Sequence, residues 1–400
     1  MMRKNKLIKL FIVVFLFIIL FFVYQYHRTG PIISLAVSTD GRYVVSVHSA
    51  RDDFFFLPEK QLVLWDIEKK EKKILAKNAN VFSAAFVPDS HEFMWQDDKN
   101  VVHIQDVNGK EINSFPHFQV KTHIISADKT FYLSSNMENY GALYEGYGKN
   151  LKPVYTDGGF PLPLTLSTSR DHFLSASDTC LLTNRPVAET NLTANPINPN
   201  ESKKSSYLGV TLWDKNTLKP VARLYGNCGK TTGLISPDGN WVVTGGENYR
   251  DFMWEIQKLN NRQRLVHFNN DLQLVDPEIY KRKILPKPEK FKNKPTGLNH
   301  TVAIAFVTEK DFILLGKSSD NNGFGDQLAR LFTVGDPWIK AYVEIGNDPS
   351  ISTDSYGKNL SVSSAPKAHI LVTGQATGGG INVYKYHPDK MELEKIWVAN

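Results

Sequence analysis

Cysteine is nearly absent from this 400-residue chain, which contains Cys180 and Cys228 and no other. In an oxidising compartment the two could form a disulfide, and the alternative is a pair of buried or free thiols. Two cysteines with no adjoining histidine do not supply the four ligands of a structural zinc site. The sequence therefore predicts neither a metal ion nor another cofactor.

Motifs that carry enzymatic chemistry are missing as well. No G-x-S-x-G occurs, and the run YGNCGKTTG (225–233) fails as a phosphate-binding loop because residue 224, where the first glycine belongs, is leucine. The stretch 320–326 has the composition of a calcium loop, but its glycine stands fourth instead of sixth. We expect a non-catalytic protein, and the alternative is an enzyme or small-ligand sensor that uses a central channel.

A broad basic surface is lacking despite the net charge of +6. The N-terminal tail contributes +4 through Arg3, Lys4, Lys6 and Lys9, and the segment 276–295 contributes another +4, which leaves −2 for the rest of the chain. Binding along a nucleic-acid backbone requires many cations on one face. The sequence therefore predicts no nucleic-acid partner.

One long stretch, LFIVVFLFIILFFVYQY (residues 10–26), contains no charged residue at all. Its length is about that needed for a helix to cross a bilayer. Four basic residues precede it and only Arg28 follows closely, so the positive-inside rule keeps the N-terminus in the cytoplasm. No small-residue cleavage site follows, and we expect an uncleaved signal-anchor, with a cleaved signal peptide as the alternative.

The sequence is rich in one repeated pattern, a polar turn between two short apolar strands. Seven stretches align on this turn: AVSTDGRYVVSV (36–47), AFVPDSHEFMWQ (85–96), IISADKTFYLSS (124–135), LSTSRDHFLSAS (166–177), LISPDGNWVVTG (234–245), AFVTEKDFILLG (305–316) and, more loosely, ISTDSYGKNLSV (351–362) or SVSSAPKAHILVTG (361–374).

Each pair of strands is followed by a third strand with a related ending. These third strands read LVLWDI (62–67), VVHIQDV (101–107), GALYEGY (141–147), VTLWDK (210–215), DFMWEI (251–256), ARLFTV (329–334) and INVYKY (381–386). Weaker fourth strands follow, and units of four strands at intervals of about 40 residues are typical of propeller blades. Because a twisted sheet with two apolar faces cannot bury both alone, we predict an all-β fold, a single closed propeller of seven four-stranded blades.

The repeats resemble those of the WD40 family across residues 32–400. Trp65-Asp66 and Trp213-Asp214 are literal Trp-Asp dipeptides, Trp254 begins a variant one, and the S-P-D-G form that contains Asp238 and Gly239 is similar to periplasmic TolB-type propellers. No repeat has the Gly-His that family members often carry before the first strand. The resemblance implies structural roles for these residues and a scaffold for protein–protein interaction in a bacterial envelope.

Long loops are predicted on one face of the ring, opposite the tight turns. The largest inserts are about 185–206, within the fourth unit, and about 269–296, between the fifth and sixth units. The second insert holds seven basic residues that are expected to contact the membrane or an acidic partner, unless the segment is a solvated insertion. They are Lys281, Arg282, Lys283, Lys287, Lys290, Lys292 and Lys294.

These observations predict one organisation for the whole chain. A cytoplasmic tail (1–9) precedes the transmembrane helix (10–26), a short linker (27–31) and a periplasmic or otherwise extracytoplasmic propeller (32–400). The expected partners are the membrane and other proteins, and the sequence does not determine whether a small molecule binds.

Overall fold

The computed structural model describes the chain in nineteen stretches. They are residues 13–17, 19, 30–49, 60–77, 83–117, 120–136, 140–147, 151–161, 167–169, 171–176, 210–217, 220–224, 231–246, 250–259, 266–269, 300–317, 328–345, 361–374 and 379–399. These residues form seven four-stranded antiparallel sheets, and each sheet comes from one continuous part of the sequence.

The first four sheets, blades 1 to 4, occupy the N-terminal half of the ring. Blade 1 contains β1 (Ile32–Val37), β2 (Tyr43–His48), β3 (Gln61–Asp66) and β4 (Glu71–Lys77). Blade 2 contains β5 (Ala84–Phe86), β6 (Glu92–Gln96), β7 (Val101–Asp106) and β8 (Glu111–Pro116). Blade 3 contains β9 (Val120–Ile125), β10 (Phe131–Asn136), β11 (Tyr140–Glu145) and β12 (Lys152–Pro161). Blade 4 contains β13 (Ser167–Thr168), β14 (His172–Ala176), β15 (Val210–Asp214) and β16 (Pro220–Leu224).

Blades 5 to 7 complete the ring. Blade 5 contains β17 (Thr231–Ile235), β18 (Trp241–Gly246), β19 (Arg250–Glu255) and β20 (Val266–Asn269), with a short helix, Ile256–Leu259, after β19. Blade 6 contains β21 (His300–Phe306), β22 (Asp311–Lys317), β23 (Leu328–Thr333) and β24 (Asp336–Glu344). Blade 7 contains β25 (Val362–Ala365), β26 (Ile370–Gly374), β27 (Ile381–His387) and β28 (Glu392–Ala399), with a 3-10 turn, Pro366–Ala368, between its first two strands.

The strands of every blade lie in sequence order, and the first strands meet each other around the ring. β1 contacts β5, β5 contacts β9, and the same relation continues through β13, β17, β21 and β25 back to β1. The predicted all-β propeller is therefore confirmed. Of the two stretches aligned for the seventh repeat, 361–374 forms its first two strands, because β25 and β26 pair from Val362 to Thr373.

The blades are apolar on both faces, which explains why the ring has to close. All six residues of β2 are buried, with Val44 packed toward blade 7 and Val45 toward blade 2. Similar clusters fill the interfaces between blades 2 and 3, 4 and 5, 5 and 6, and 6 and 7 within the described residues. Burial of one aliphatic side chain contributes about 1.5–3 kcal/mol to the free energy of folding. A single blade exposed to water would lose this stabilisation on both of its faces.

The two ends of the propeller meet without exchanging a strand. The Ser361 hydroxyl donates to the Ile32 carbonyl at 2.8 Å, and the Val37 N–H donates to the Ser363 hydroxyl at 3.2 Å. Trp65 of blade 1 packs edge-on against Trp397 of blade 7, with ring centroids 6.2 Å apart. Closure therefore depends on side-chain packing and a few polar contacts between blades 7 and 1.

Most of the predicted membrane segment lies outside the described residues, as do the tail 1–9 and residues 27–29 of the linker. Residues 13–17 and Ile19 are helical and exposed, and Phe17 is 73% accessible. Within the described part of the chain, no helix combines the length and apolar character that a membrane span needs.

Gly374 provides a test of the closure between blades 7 and 1. A Cβ atom at this position would lie 2.9 Å from the Ile32 Cβ and 3.0 Å from the Ser361 Cβ, closer than side chains allow. We expect Gly374→Ala to destabilise the propeller by about 1–3 kcal/mol, measured by denaturant unfolding of the detergent-solubilised full chain. Gly233→Ala is the matched control, because its Cβ would meet its neighbours at an ordinary 3.5 Å. Equal stability of the two variants would contradict this account of closure.

Candidate functional site

The two ends of the ring differ in the turns and loops that lie on them. We call the end with the turns between first and second strands, such as residues 38–42, the tight-turn face, and the opposite end the long-loop face. Each first strand runs from the long-loop face to the tight-turn face. Candidate groups can be placed on one face or the other from this direction.

A Ser-x-Asp pattern fixes three turns of the tight-turn face. In each, the serine hydroxyl donates to the aspartate two residues later and accepts a backbone N–H from five residues later at 2.9 Å. The pairs are Ser38 and Asp40, Ser126 and Asp128, and Ser236 and Asp238. The residue after each aspartate has a positive φ, which Gly239 adopts without strain at 74°. Asp238 and Gly239 therefore stabilise this turn.

The Trp-Asp dipeptides also serve the fold. Trp65 and Trp213 are 0% and 1% exposed, and Trp254 is 6% exposed. Asp66 accepts the Lys69 N–H at 3.0 Å, and Asp214 accepts the Thr217 N–H at 2.7 Å, so each carboxylate caps the turn to the fourth strand. Trp65 and Trp254 pack in the clusters between blades, and Trp213 stacks on Phe173 within blade 4.

A buried hydrogen-bonded chain joins Trp65 to the start of the propeller. The Trp65 Nε1–H donates to the Ser46 hydroxyl at 2.7 Å, and that hydroxyl contacts His48 Nε2 at 2.7 Å. His48 Nδ1 lies 2.8 Å from the Gly30 carbonyl oxygen. Because a carbonyl can only accept, Nδ1 carries the proton and Nε2 accepts from Ser46, which describes a neutral imidazole.

The pKa of His48 agrees with this neutral form. Burial lowers its pKa from 6.5 to about 4; the hydrogen bond to Gly30 acts in the opposite direction, and the charge of Lys72 adds to the lowering. Burial also lowers the pKa of His123 in blade 3 to about 3, with a further contribution from His117. Both side chains therefore stay uncharged at neutral pH.

Blade 3 contains a histidine contact that the sequence pattern did not reveal. His117 lies just before β9, where the family often places a Gly-His, and its Nε2 is 3.3 Å from the Ser134 hydroxyl. Its ring also meets Tyr144 edge-on at 5.2 Å. Here the dipeptide is Pro116-His117 instead of Gly-His. His123 is a core histidine whose Nδ1 shares a hydrogen bond of 2.8 Å with the Tyr132 hydroxyl, and its Nε2 is buried without a hydrogen-bond partner among the described residues.

A cavity of about 690 Å³ lies on the tight-turn face where three blades meet. Its lining comes from the first turns of blades 1, 2 and 7, namely Thr39, Asp40, Asp89, Ser90, His91, Lys367 and Ala368. His91 Nε2 lies 2.7 Å from the Asp40 carboxylate, and Lys367 Nζ lies 3.6 Å from that of Asp89. The Asp89 N–H donates to the Thr39 hydroxyl at 3.0 Å, which ties blade 2 to blade 1.

The cavity contains serine, histidine and aspartate, but their contacts do not form a nucleophile. The Ser90 hydroxyl donates to the Val87 carbonyl at 3.2 Å and accepts the Glu92 N–H at 3.1 Å. An activated serine would instead donate to the base that removes its proton. Burial alone would raise the pKa of Asp40, but hydrogen bonds from Ser38, His91 and Arg42 outweigh it and lower the pKa. The arrangement suits binding better than covalent chemistry.

Other predicted site residues lie outside the described part of the chain. Cys180 and Cys228, both inserts and all seven basic residues of the second insert, from Lys281 to Lys294, belong to this group. The stretch 320–326 belongs to it too. In the described residues, no cluster of three or more histidine, cysteine or acidic side chains has the arrangement of a metal site.

Protonation of the buried histidines makes the stability of the propeller pH-dependent. The unfolded chain binds a proton at His48 below about pH 6.5, whereas the folded chain does so only near pH 4. The free energy of unfolding is therefore highest above pH 6.5 and decreases as the pH falls from 6.5 to 4. The slope approaches about 1.4 kcal/mol per pH unit for each such histidine. Denaturant unfolding between pH 7.5 and 4.5 should show this fall, and His48→Asn, which keeps a donor for Gly30 but does not titrate, should make the slope shallower. An unchanged slope would exclude His48 as its source.

Comparison with known proteins identifies the architecture. No family model and no curated protein matches the sequence. Hsv2 of Kluyveromyces lactis matches in structure with a TM-score of 0.54 at 10% identity, over 93% of this chain and 99% of that chain. The β-propeller domain of Cps50 (Swd1) from Myceliophteria thermophila gives 0.56 at 12%, over 90% and 98%. A chain of a mitotic checkpoint complex gives 0.55 at 12%, over 89% and 87%.

These neighbours are WD40 β-propellers. The structural matches establish the architecture alone. Sequence identities of 10–12% carry no information about partners or activity. The chain has the fold of the WD40 β-propellers.

Proposed function

We propose that this chain is a membrane-anchored propeller that acts as a non-catalytic scaffold for other proteins on the extracytoplasmic side of a bacterial membrane. The observation that carries the scaffold role is the rigid tight-turn face. Its polar side chains are engaged with turn backbones and neighbouring blades, and the cavity there holds paired charges and no activated nucleophile.

Contacts between blades support this rigidity. Lys215, which follows the Trp213-Asp214 dipeptide of blade 4, is 7% exposed at its side chain and donates to Asp128 of blade 3 at 2.5 Å. It also donates to the Thr130 hydroxyl at 2.9 Å. Burial alone would raise the pKa of Asp128, but hydrogen bonds from Lys215, Ser126 and Thr130 outweigh it and hold the pKa well below 3.8. A surface fixed in this way can bind a partner with little loss of conformational entropy.

The structural neighbours support the same reading by analogy. One of them is a chain of a mitotic checkpoint complex. WD40 propellers commonly bind other proteins, and we extend that role to this chain as a proposal.

Membrane anchoring is supported by the sequence of residues 10–26. In addition, Val13, Val14, Phe15, Leu16 and Phe17 are 48–73% exposed. Apolar side chains in this number are stabilised by a lipid environment and not by water. The seven basic residues of the insert 269–296 are proposed to contact acidic lipid head groups or an acidic membrane partner.

Protease accessibility tests the anchor and its direction. In right-side-out vesicles we expect added protease to cleave the propeller, and in inside-out vesicles we expect it to remain intact until detergent is added. Mass spectrometry of the full chain should find residues 1–26 retained, since an uncleaved anchor keeps them. Cleavage of the propeller only in inside-out vesicles would contradict the extracytoplasmic placement, and a mature N-terminus after residue 26 would contradict the anchor.

Crosslinking in intact membranes, followed by mass spectrometry, tests the scaffold role. Lysines of the tight-turn face such as Lys129, Lys310 and Lys367 should appear in crosslinks to one reproducible set of other proteins. Two other lysines serve as references for how readily exposed lysines react with the crosslinker. They are Lys390, on a turn of the same face, and Lys60, on the long-loop face. Crosslinks that join only the propeller to itself, at the same labelling efficiency, would contradict the scaffold proposal.

A further inference from the structure

The start of the propeller is fixed to the long-loop face, away from the cavity. The Ser49 N–H donates to the Pro31 carbonyl at 2.8 Å, and His48 Nδ1 donates to the Gly30 carbonyl. These bonds hold residues 30 and 31 beside the end of β2, where Ile32 pairs with His48. The cavity lies beyond the other end of β1, at Thr39 and Asp40.

This placement gives the cavity an orientation. The six residues of β1 span about 20 Å between the two faces. Residues 26–30 reach less than about 20 Å even when fully extended, so they hold the long-loop face close to a membrane that contains residues 10–26. The tight-turn face then points away from the lipid and is open to a soluble partner.

We propose that the cavity is a docking site for a cationic side chain, arginine above all, on a segment of a partner protein. The orientation of the cavity rests on the anchoring proposed above, whereas the chemistry of its ligand does not. The lining has two carboxylates, of Asp40 and Asp89, and one ammonium group, of Lys367. Its carboxylates therefore outnumber its ammonium group.

The hydrogen-bonding capacity of the lining also favours a donor. The Asp40 carboxylate accepts the hydrogen bond from His91 Nε2. The Asp89 carboxylate meets Lys367 through Oδ1, so Oδ2 can accept further hydrogen bonds. A guanidinium group offers five N–H donors and no acceptor, which complements this surface.

Lys367 shows that a cation is already accommodated there. Its ion pair with Asp89 is 3.6 Å long, and the two side chains are 64% and 61% exposed. A pair of this kind contributes little to stability, so an incoming guanidinium can replace it in a bidentate contact. The side chains of the lining are well positioned: Asp89 has a φ of 49° and its N–H is bound to Thr39, while the His91 ring packs edge-on against Tyr43 at 4.8 Å.

The proposal is tested by peptide binding to the detergent-solubilised full chain at low salt. The probes are three short peptides that differ only in two positions, which are both arginine, both lysine or both glutamate. Thermophoresis of the labelled protein, with peptide titrated into the millimolar range, gives each Kd. We expect the arginine peptide to bind most tightly and the glutamate peptide not to bind. Equal binding of all three, or preference for glutamate, overturns the proposal.

Two variants of opposite sign make the test specific to the cavity. Asp89→Asn should weaken binding of the arginine peptide about threefold to tenfold, and asparagine tolerates the positive φ of this position. Lys367→Gln should tighten binding by about threefold, because it removes the competing cation. If Asp89→Asn has no effect, or if Lys367→Gln weakens binding, the cavity is not the site.

Matched controls carry the same charge changes elsewhere on the ring. Asp98→Asn lies on an exposed turn of blade 2 at the long-loop face, and Lys390→Gln lies on an exposed turn of blade 7. Both should leave Kd unchanged; an effect as large as those of the cavity variants would show that general electrostatics explains the binding. Failure of this test leaves the scaffold role standing, and failure of the vesicle experiment leaves the peptide site standing.

Discussion

Closure of the ring between blades 7 and 1 is the constraint on which the rest of the structure depends. Each blade has apolar side chains on both faces, so every blade needs two neighbours, including the two that come from opposite ends of the sequence. The Ser361 hydroxyl bonds a carbonyl 329 residues away, and Gly374 provides the room for Ile32 to approach. Without this contact, the inner strands would lose their alignment and the turns of blades 7, 1 and 2 would not converge.

The cavity is a direct consequence of that convergence. Its carboxylates and cations are held by turn bonds inside each blade, such as that between Ser38 and Asp40, and by bonds between blades, such as that between Asp89 and Thr39. Neither kind alone would form it. A rigid ring thus presents a charged recess in a fixed geometry, and such a recess suits recognition of a partner's side chain more than catalysis.

The sequence predicted the features that depend on neighbouring residues. The Ser-x-Asp turns and the acids after Trp65 and Trp213 act within about five residues, so their pattern survives in the sequence and led to an all-β propeller of four-stranded units. The cavity joins turns that are distant in the chain; His91 and Asp40 are 51 residues apart and Lys367 is much farther. No local pattern marks such a site, because each of its members also reads as an ordinary turn residue.

His48 shows how one side chain links the fold to its proposed setting. Through Ser46 it completes the hydrogen bonding of Trp65, whose ring fills the space between blades 1 and 7. Through its other nitrogen it holds Gly30, the residue at which the chain enters the propeller. The same buried, neutral imidazole contacts both Gly30, where the chain enters the propeller, and Ser46, which is bonded to Trp65 at the closure between blades 1 and 7. The packing that closes the ring therefore also fixes the position of Gly30. An anchor joined there by a few residues would therefore orient the whole propeller and not only retain it at the membrane.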